Sequence, residues 1–272
     1  MLHIGWFSTG RDEAACQLLE AAWQAIQAGE LKARIAVVFS NRERRENPAS
    51  DRFFDLVESY GIPLVCLSSK RFRQERGEPR ARAGEPLPAW RADYDRTVVG
   101  LLEAHPFDLG VLAGYMLIFT EEACQRYNLL NLHPAPPGGP AGTWQEVIWQ
   151  LIEQRASTAG VMMHLATKEL DQGPPVTYCT YSIHEPAFDG LWAQVVGKSV
   201  AEVQASEGED NRLFQEIRRQ GVIRELPLVV ATLRTFADGK VRIQGGRVVD
   251  AGGLPIAAYD LTQEIDRLVG SA

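Results

Sequence analysis

The first half of this chain alternates short, continuous apolar runs with stretches whose apolar residues recur at helical spacing. That rhythm constrains the fold more than any other feature. Leu2–Phe7 reads as a strand, and Asp12–Gln27 as a helix in which Ala15, Leu18, Leu19, Ala22 and Ile26 share a face. Ile35–Ser40 is apolar almost throughout, as expected for a strand buried on both faces. Ser50–Tyr60 and Tyr94–Ala104 read as further helices, and Pro63–Leu67, Leu109–Ala113 and Leu129–Leu132 as further strands. The pattern predicts an α/β fold, a doubly wound and mostly parallel sheet covered by helices on both faces. Ligands of such sheets bind beyond the carboxyl ends of the strands. A site is therefore expected in Ser8–Asp12, Asn41–Arg45, Gly114–Phe119 or Asn131–Gly142.

After Gly142 the pattern changes. Thr143–Glu153 reads as a helix with Thr143 as its cap. Gly160–Leu165 and Val176–Ile183 read as strands, joined through a turn at Lys168–Gly173. His184–Asn211 is polar and without a defined period, and Leu213–Phe236 is helical with a break expected around Gly221 and Pro227. Val241–Val249 resembles a hairpin turning at Gly245-Gly246. The expected organisation is a main domain over residues 1–240 and a small C-terminal hairpin and tail over 241–272. Between a strand and a helix, residues 70–91 form a basic insertion rich in Pro and Gly, with seven basic and three acidic residues. It reads either as a solvated insertion or as an electropositive flap.

Composition removes several functions. The chain of 272 residues is long enough to bury a core without disulfides or metals, and its formal charge of −7 disfavours nucleic acid or an anionic membrane as partner. Its four cysteines are scattered, which fits a reducing, cytoplasmic setting. There is no membrane-length apolar run and no signal-peptide pattern at the start. No His spacing suggests a metal site.

Three groups of residues could carry chemistry. Asn131-Leu132-His133-Pro134 stands at a strand end, where alternation points Asn131 and His133 to the same side. An amide and an imidazolium can both donate to one developing oxyanion. The same tetrad also fits a strand end whose His is simply hydrogen-bonded, and the residues alone leave both readings open. His164 precedes Asp171 by seven residues, and a carboxylate near an imidazole favours and orients its charged form; Asp before Gly is also common in plain turns. Ser8-Thr9-Gly10-Arg11-Asp12 occupies the first strand-to-helix turn, a common phosphate cradle, but with one Gly it matches neither the dinucleotide fingerprint nor a Walker loop.

Taken in chain order, these residues resemble the folate-dependent formyltransferases, and most closely the branch acting on glycinamide ribonucleotide. Ser40-Asn41-Arg42 is similar to that family's Ser-Asn-Lys, and Arg91-Ala92-Asp93-Tyr94-Asp95-Arg96 to its Arg-x-x-Tyr-Asp-Arg. Leu112–Met116 is similar to its Leu-Ala-Gly-Phe-Met, and Leu130–Pro134 to its Leu-Asn-Ile-His-Pro. Gly160–Pro174, with His164 and the Leu170-Asp171-x-Gly173 turn, and Phe236–Lys240 complete the match.

The resemblance implies a Rossmann-like formyltransferase domain. It implies 10-formyltetrahydrofolate as co-substrate, a small-molecule amine as acceptor and no metal, and it leaves a homodimer open. The default acceptor is glycinamide ribonucleotide, in purine biosynthesis. The alternatives are a different amine, such as an amino sugar nucleotide, water as the nucleophile, or a non-catalytic folate-binding relative. By the same resemblance Asn131, His133 and Asp171 are catalytic, and His164 supports them. Arg91, Met116, Leu117, Ile118, Phe119, Asn131, Thr167, Glu169, Leu170 and Asp171 bind the folate. Thr9, Gly10, Arg11 and Asp12 take the place of the acceptor's phosphate loop but depart from the family's Gly-x-Gly-Ser-Asn. Leu117 and Val222 stand where the family has Arg and Glu, and Ala135-Pro136-Pro137 where it has Ser-Leu-Leu.

Overall fold

A computed structural model describes residues 1–80, 86–169 and 171–270. In chain order its elements are β1 (Leu2–Phe7), α1 (Glu13–Gln27), β2 (Ala33–Ser40), α2 (Pro48–Ser59), β3 (Leu64–Cys66), α3 (Ser69–Glu75), α4 (Trp90–Leu102), β4 (Leu109–Leu112), α5 (Glu121–Arg126) and β5 (Leu129–His133). There follow α6 (Trp144–Glu153), β6 (Thr158–Leu165), β7 (Pro175–Ser182), α7 (Pro186–Val195), α8 (Val200–Ser206), α9 (Arg212–Ala237), β8 (Val241–Gln244), β9 (Arg247–Asp250), β10 (Tyr259–Asp260) and α10 (Thr262–Gly270). The main sheet runs β10-β7-β6-β5-β4-β1-β2-β3. Strands β1 to β5 are mutually parallel, and β6 is antiparallel to both β5 and β7. The chain builds outward from β1 to β3, then returns to lay β4 on the other side of β1, so the strand order reverses there. Crevices form at such reversals because the flanking loops part in opposite directions.

Both faces are covered, which explains the continuous apolar runs. Ile4, Trp6, Ile35 and Val38 pack beneath α1 and α2, while Phe7, Val37 and Phe39 face Tyr94, Val98 and Leu102 of α4. Ile35 and Val38 share a face although three residues apart, because the β1–β2 register slips by one residue between Ile4 and Gly5. An extra residue in one strand turns its later side chains over.

Three expectations change. Leu213–Phe236 is not broken: α9 is one helix of 26 residues that carries Pro227 inside it. Proline removes one helix hydrogen bond, but Leu213, Phe214 and Ile217 before it and Leu228, Ala231 and Leu233 after it are all buried. Packing on both sides of the proline overrides the local cost. Gly221 is a close approach, where a Cβ would stand 3.4 Å from the Tyr181 hydroxyl. The polar stretch 184–211 is mostly helical, with Pro186 opening α7 and a Ser199–Glu202 capping box opening α8. The basic insertion is shorter than expected, since α3 takes Ser69–Glu75 and α4 begins at Trp90. Arg71 pairs with Glu43, and Arg76 lies 3.5 Å over the Phe72 ring. Arg82 lies outside the described residues.

The C-terminal residues add a separate β8–β9 ribbon, turned through Gly245 and Gly246 at φ 56° and 73°. Val241, Val248, Leu261 and Ile265 belong to the same apolar core as β1 and α1. Asn211 caps α9: its carboxamide oxygen accepts from Phe214 N at 3.1 Å, and it is 1% exposed. Replacing Asn211 with Ala is expected to cost about 1–2 kcal/mol. Chemical denaturation measures this, and an unchanged midpoint would show that the cap contributes nothing.

Candidate active site

The parallel half of the sheet meets its antiparallel strand between β5 and β6, and chemistry-bearing side chains collect on that seam. Asn131 of β5 stands opposite His164 of β6, and His133 opposite Met162. Alternation along β5 sends Asn131 and His133 to one side, where Asp171 meets both. Asn131 Nδ2 donates to Asp171 Oδ1 at 3.3 Å and lies 3.2 Å from His164 Nε2. His133 Nδ1 stands 3.7 Å from Asp171 Oδ2, and His164 Nε2 3.7 Å from Asp171 Oδ1. Both imidazoles are about 98% buried; Asn131 is half-buried and forms the accessible edge of the group.

The outer nitrogens of the two rings are bound to carbonyls. His133 Nε2 is 2.9 Å from the Pro140 oxygen, and His164 Nδ1 is 3.1 Å from the Leu165 oxygen. A carbonyl only accepts, so both of these nitrogens carry a proton. The two rings are thereby fixed with their other nitrogens toward Asp171.

Asp171 reaches this position through a tight turn between β6 and β7. Its own backbone is left-handed, at φ 57°, a conformation that Asp tolerates better than most residues. Two residues on, Gly173 passes so close to β6 that a Cβ would stand 1.7 Å from the Leu165 carbonyl oxygen. Burial raises the Asp171 carboxyl. The hydrogen bond with His164, the charges of His133 and His164 and the Gly142 N–H outweigh that, and hold it below the ordinary value of 3.8. A depressed native pKa stabilises the fold above the unfolded value, and the contribution is lost as pH falls through the native one. The stability difference between wild type and Asp171→Asn is therefore expected to shrink as pH falls below about 3.8. Thermal melts at and below that pH test this, and a difference that grows as pH falls below 3.8 would contradict it.

The loop after β4 forms a second wall. Met116 is 49% exposed, with Leu117 and Ile118 half-buried behind it, while Phe119 is buried and stacks on Tyr115. Three bonds anchor the loop: Met116 N to Thr9 Oγ1 at 3.0 Å, Arg91 Nη2 to the Ile118 carbonyl at 2.7 Å, and Thr120 N to Asp95 Oδ2 at 2.7 Å. Thr167 turns its hydroxyl back onto the Glu169 carbonyl at 3.1 Å, and Glu169 is exposed. Leu170 lies outside the described residues.

Several residues expected to touch ligands also hold the scaffold. Arg91 is 2% exposed, bound to Ile118 and paired with Asp95 at 3.3 Å. Thr9 is 2% exposed and bridges Asn41 Oδ1 to Met116 N. Gly10 sits at φ 60° against Phe53, where a Cβ would come within 2.8 Å. Asp12 caps α1 by accepting from Ala15 N, and the half-exposed Arg11 pairs with Asp12 at 3.1 Å on the surface. An anion-binding helix end is thus occupied by the chain's own carboxylate. Sequence reasoning missed Asp95 as a site-builder, since it stood only as one member of the Arg91–Arg96 motif; Pro140 and Gly142 lie in the Asn131–Gly142 loop where a site was expected.

Clefts of about 450 and 380 Å³ open elsewhere, the first behind Thr120 and Asp95, the second between α6, α7 and α8; neither contains Asn131, His133 or Asp171. Among the described residues no group of three or more His, Cys, Asp or Glu is placed to hold a metal ion, and no helix is long and apolar enough to cross a membrane.

A doubly wound α/β sheet thus gathers an amide, two imidazoles and a carboxylate where its strands end, a set that can donate hydrogen bonds to a developing charge and move a proton. The chain belongs to the family described as Formyl transferase, whose profile matches residues 13–187. It is 24% identical over 245 residues to the phosphoribosylglycinamide formyltransferase of Escherichia coli, covering 89% of this chain and 92% of that one. It is 28% identical over 159 residues to the formyltetrahydrofolate deformylase of Bacillus subtilis, covering 58% of this chain and 44% of that one. Among solved structures, the phosphoribosylglycinamide formyltransferase of Coxiella burnetii superposes with a TM-score of 0.66 at 20% identity, covering 95% and 98% of the two chains.

Proposed function

We propose that this protein transfers the formyl group of 10-formyltetrahydrofolate to an amine, with glycinamide ribonucleotide as the default acceptor. The observation that carries the reading is the convergence of Asn131, His133 and Asp171 at the carboxyl end of β5, with half-buried Asn131 on the accessible side. The amine attacks the formyl carbon and the carbonyl oxygen becomes an oxyanion. Asn131 donates an N–H to that oxygen, giving up one of its present bonds to Asp171 or His164, and protonated His133 adds a second donor. As the bond from the formyl carbon to the folate nitrogen breaks, His133 helps move the amine proton to that nitrogen. Asp171 keeps the imidazole oriented and balances its charge. The exposed Met116 and half-buried Leu117 and Ile118 offer apolar surface for a flat heterocycle.

A second reading keeps this centre and changes the nucleophile. Asp12 fills the helix end that a phosphate would use and Arg11 is engaged with it, which favours an acceptor held differently. The deformylase relative makes water a further nucleophile to test. The experiment is a 10-formyltetrahydrofolate turnover assay with glycinamide ribonucleotide, with no acceptor, and with a panel of other amines. Turnover that depends on glycinamide ribonucleotide supports the default acceptor. Turnover only with another amine moves the acceptor, and formate release without any amine supports hydrolysis. Folate binding with no turnover in any arm overturns formyl transfer.

A further inference from the structure

The segment Pro140–Gly142 touches the His133 ring of the site directly. The Pro140 carbonyl takes the Nε2 proton of His133 at 2.9 Å, which leaves Nδ1 as the nitrogen facing Asp171. A shift of this segment would therefore move the His133 ring relative to Asp171.

Three features hold the segment in place. Gly142 sits at φ 115°, where side-chain-bearing residues are rarely found, and a Cβ there would stand 2.6 Å from Glu146 Oε2. Glu146 Oε2 accepts from Thr143 N at 2.7 Å and from Thr143 Oγ1 at 2.9 Å, closing a capping box at the start of α6. Gln150, in the second turn of α6, then reaches back past that box and donates from Nε2 to the Ala141 carbonyl at 3.2 Å. The capping box is enough to start a helix. The Gln150 bond adds nothing that α6 itself requires, and its one effect on the chain is to tie the backbone between Pro140 and Gly142.

We propose that Gly142 and Gln150 are positioning residues, through which α6 clamps the Pro140–Gly142 backbone and so presents His133 to Asp171 with its Nε2 proton fixed. The kinetic consequence rests on the formyl-transfer reading; the geometry of the His133 ring does not.

Gln150→Glu tests the clamp, because it keeps the side chain's shape and removes its N–H donor. Two measurements on the full chain are paired: ¹⁵N NMR of the His133 ring, assigned with a His133→Gln variant, and steady-state turnover across pH. Small misplacements of catalytic groups cost up to about 100-fold in rate. For Gln150→Glu the expected result is a fall in kcat of roughly 10-fold, with KM for the formyl donor unchanged. The pH profile shifts, the His133 ring signals are displaced, and the melting temperature stays near that of wild type. Gly142→Ala should show a larger ring displacement wherever it folds. Ring signals in Gln150→Glu identical to wild type overturn the clamp, whether or not kcat changes. If wild type shows no turnover on any acceptor, the formyl-transfer reading fails while the ring signals still decide the clamp.

Discussion

Replacing Asp171 with Asn is expected to lower formyl transfer by about 10²–10⁴-fold, the range for losing acid–base function at a reacting centre. Asn suits this test because it tolerates the left-handed backbone found at φ 57° and occupies nearly the same volume. The turn should therefore survive while its charge disappears. Asp171 meets His133 Nδ1 and His164 Nε2 at 3.7 Å each and accepts from Asn131 at 3.3 Å, so one substitution disturbs three side chains. A neutral amide no longer balances an imidazolium, and its NH₂ group can face the ring nitrogens as a competing donor. Asn131→Ala should fall less far, by about 10²–10³-fold, as for one lost oxyanion donor. Circular dichroism and single-turnover kinetics on both variants check this. Near-normal rates with an intact fold would remove the proposed centre.

The largest expected loss of stability comes from Arg91→Ala. Arg91 and Asp95 are each 2% exposed at the side chain and paired at 3.3 Å. Breaking a buried pair by removing one partner leaves an uncompensated charge and costs about 3–5 kcal/mol. In a chain of this size that corresponds to a fall in melting temperature of roughly 10 °C. Burial already raises the Asp95 carboxyl above 3.8, and Arg91 and the Thr120 N–H hold it back. Without Arg91 the native carboxyl binds its proton more tightly, while the unfolded one is unchanged. The native state then holds more protons than the unfolded state above the ordinary carboxylate range, so the variant gains stability as pH falls. The gap to wild type should narrow from neutral pH toward about 5. The Ile118 carbonyl also loses its donor, and a rise in KM for the formyl donor should follow from the loosened loop. A variant that melts within about 2 °C of wild type at neutral pH would show that Asp95 is satisfied by other means.

Much of this molecule could be read along the chain. β1, α1 and α6 begin and end within a residue or so of where periodicity and capping chemistry placed them. Alternation correctly put Asn131 and His133 on one side of β5, and the Asp-x-Gly turn brought Asp171 to them. The break expected in α9 did not occur, because Pro227 acts locally while the residues around it are held by the core. The roles of Thr9 and Arg91 were invisible for a related reason. A buried Thr bonded to Met116 N, 107 residues away, looks in sequence like any polar residue in a loop.

What the sequence by itself determined is the local part: which runs are apolar, at what period, where helices are capped, and which residue types could support acyl chemistry. Those properties depend on neighbours a few positions away and are carried by side-chain spacing alone. Only the tertiary structure decided that β6 lies antiparallel beside β5, which sets His164 opposite Asn131, and that Arg91 turns inward to hold a loop. Each of those outcomes depends on which surfaces are removed from water together and which distant polar groups are left to satisfy one another. No local pattern encodes that choice.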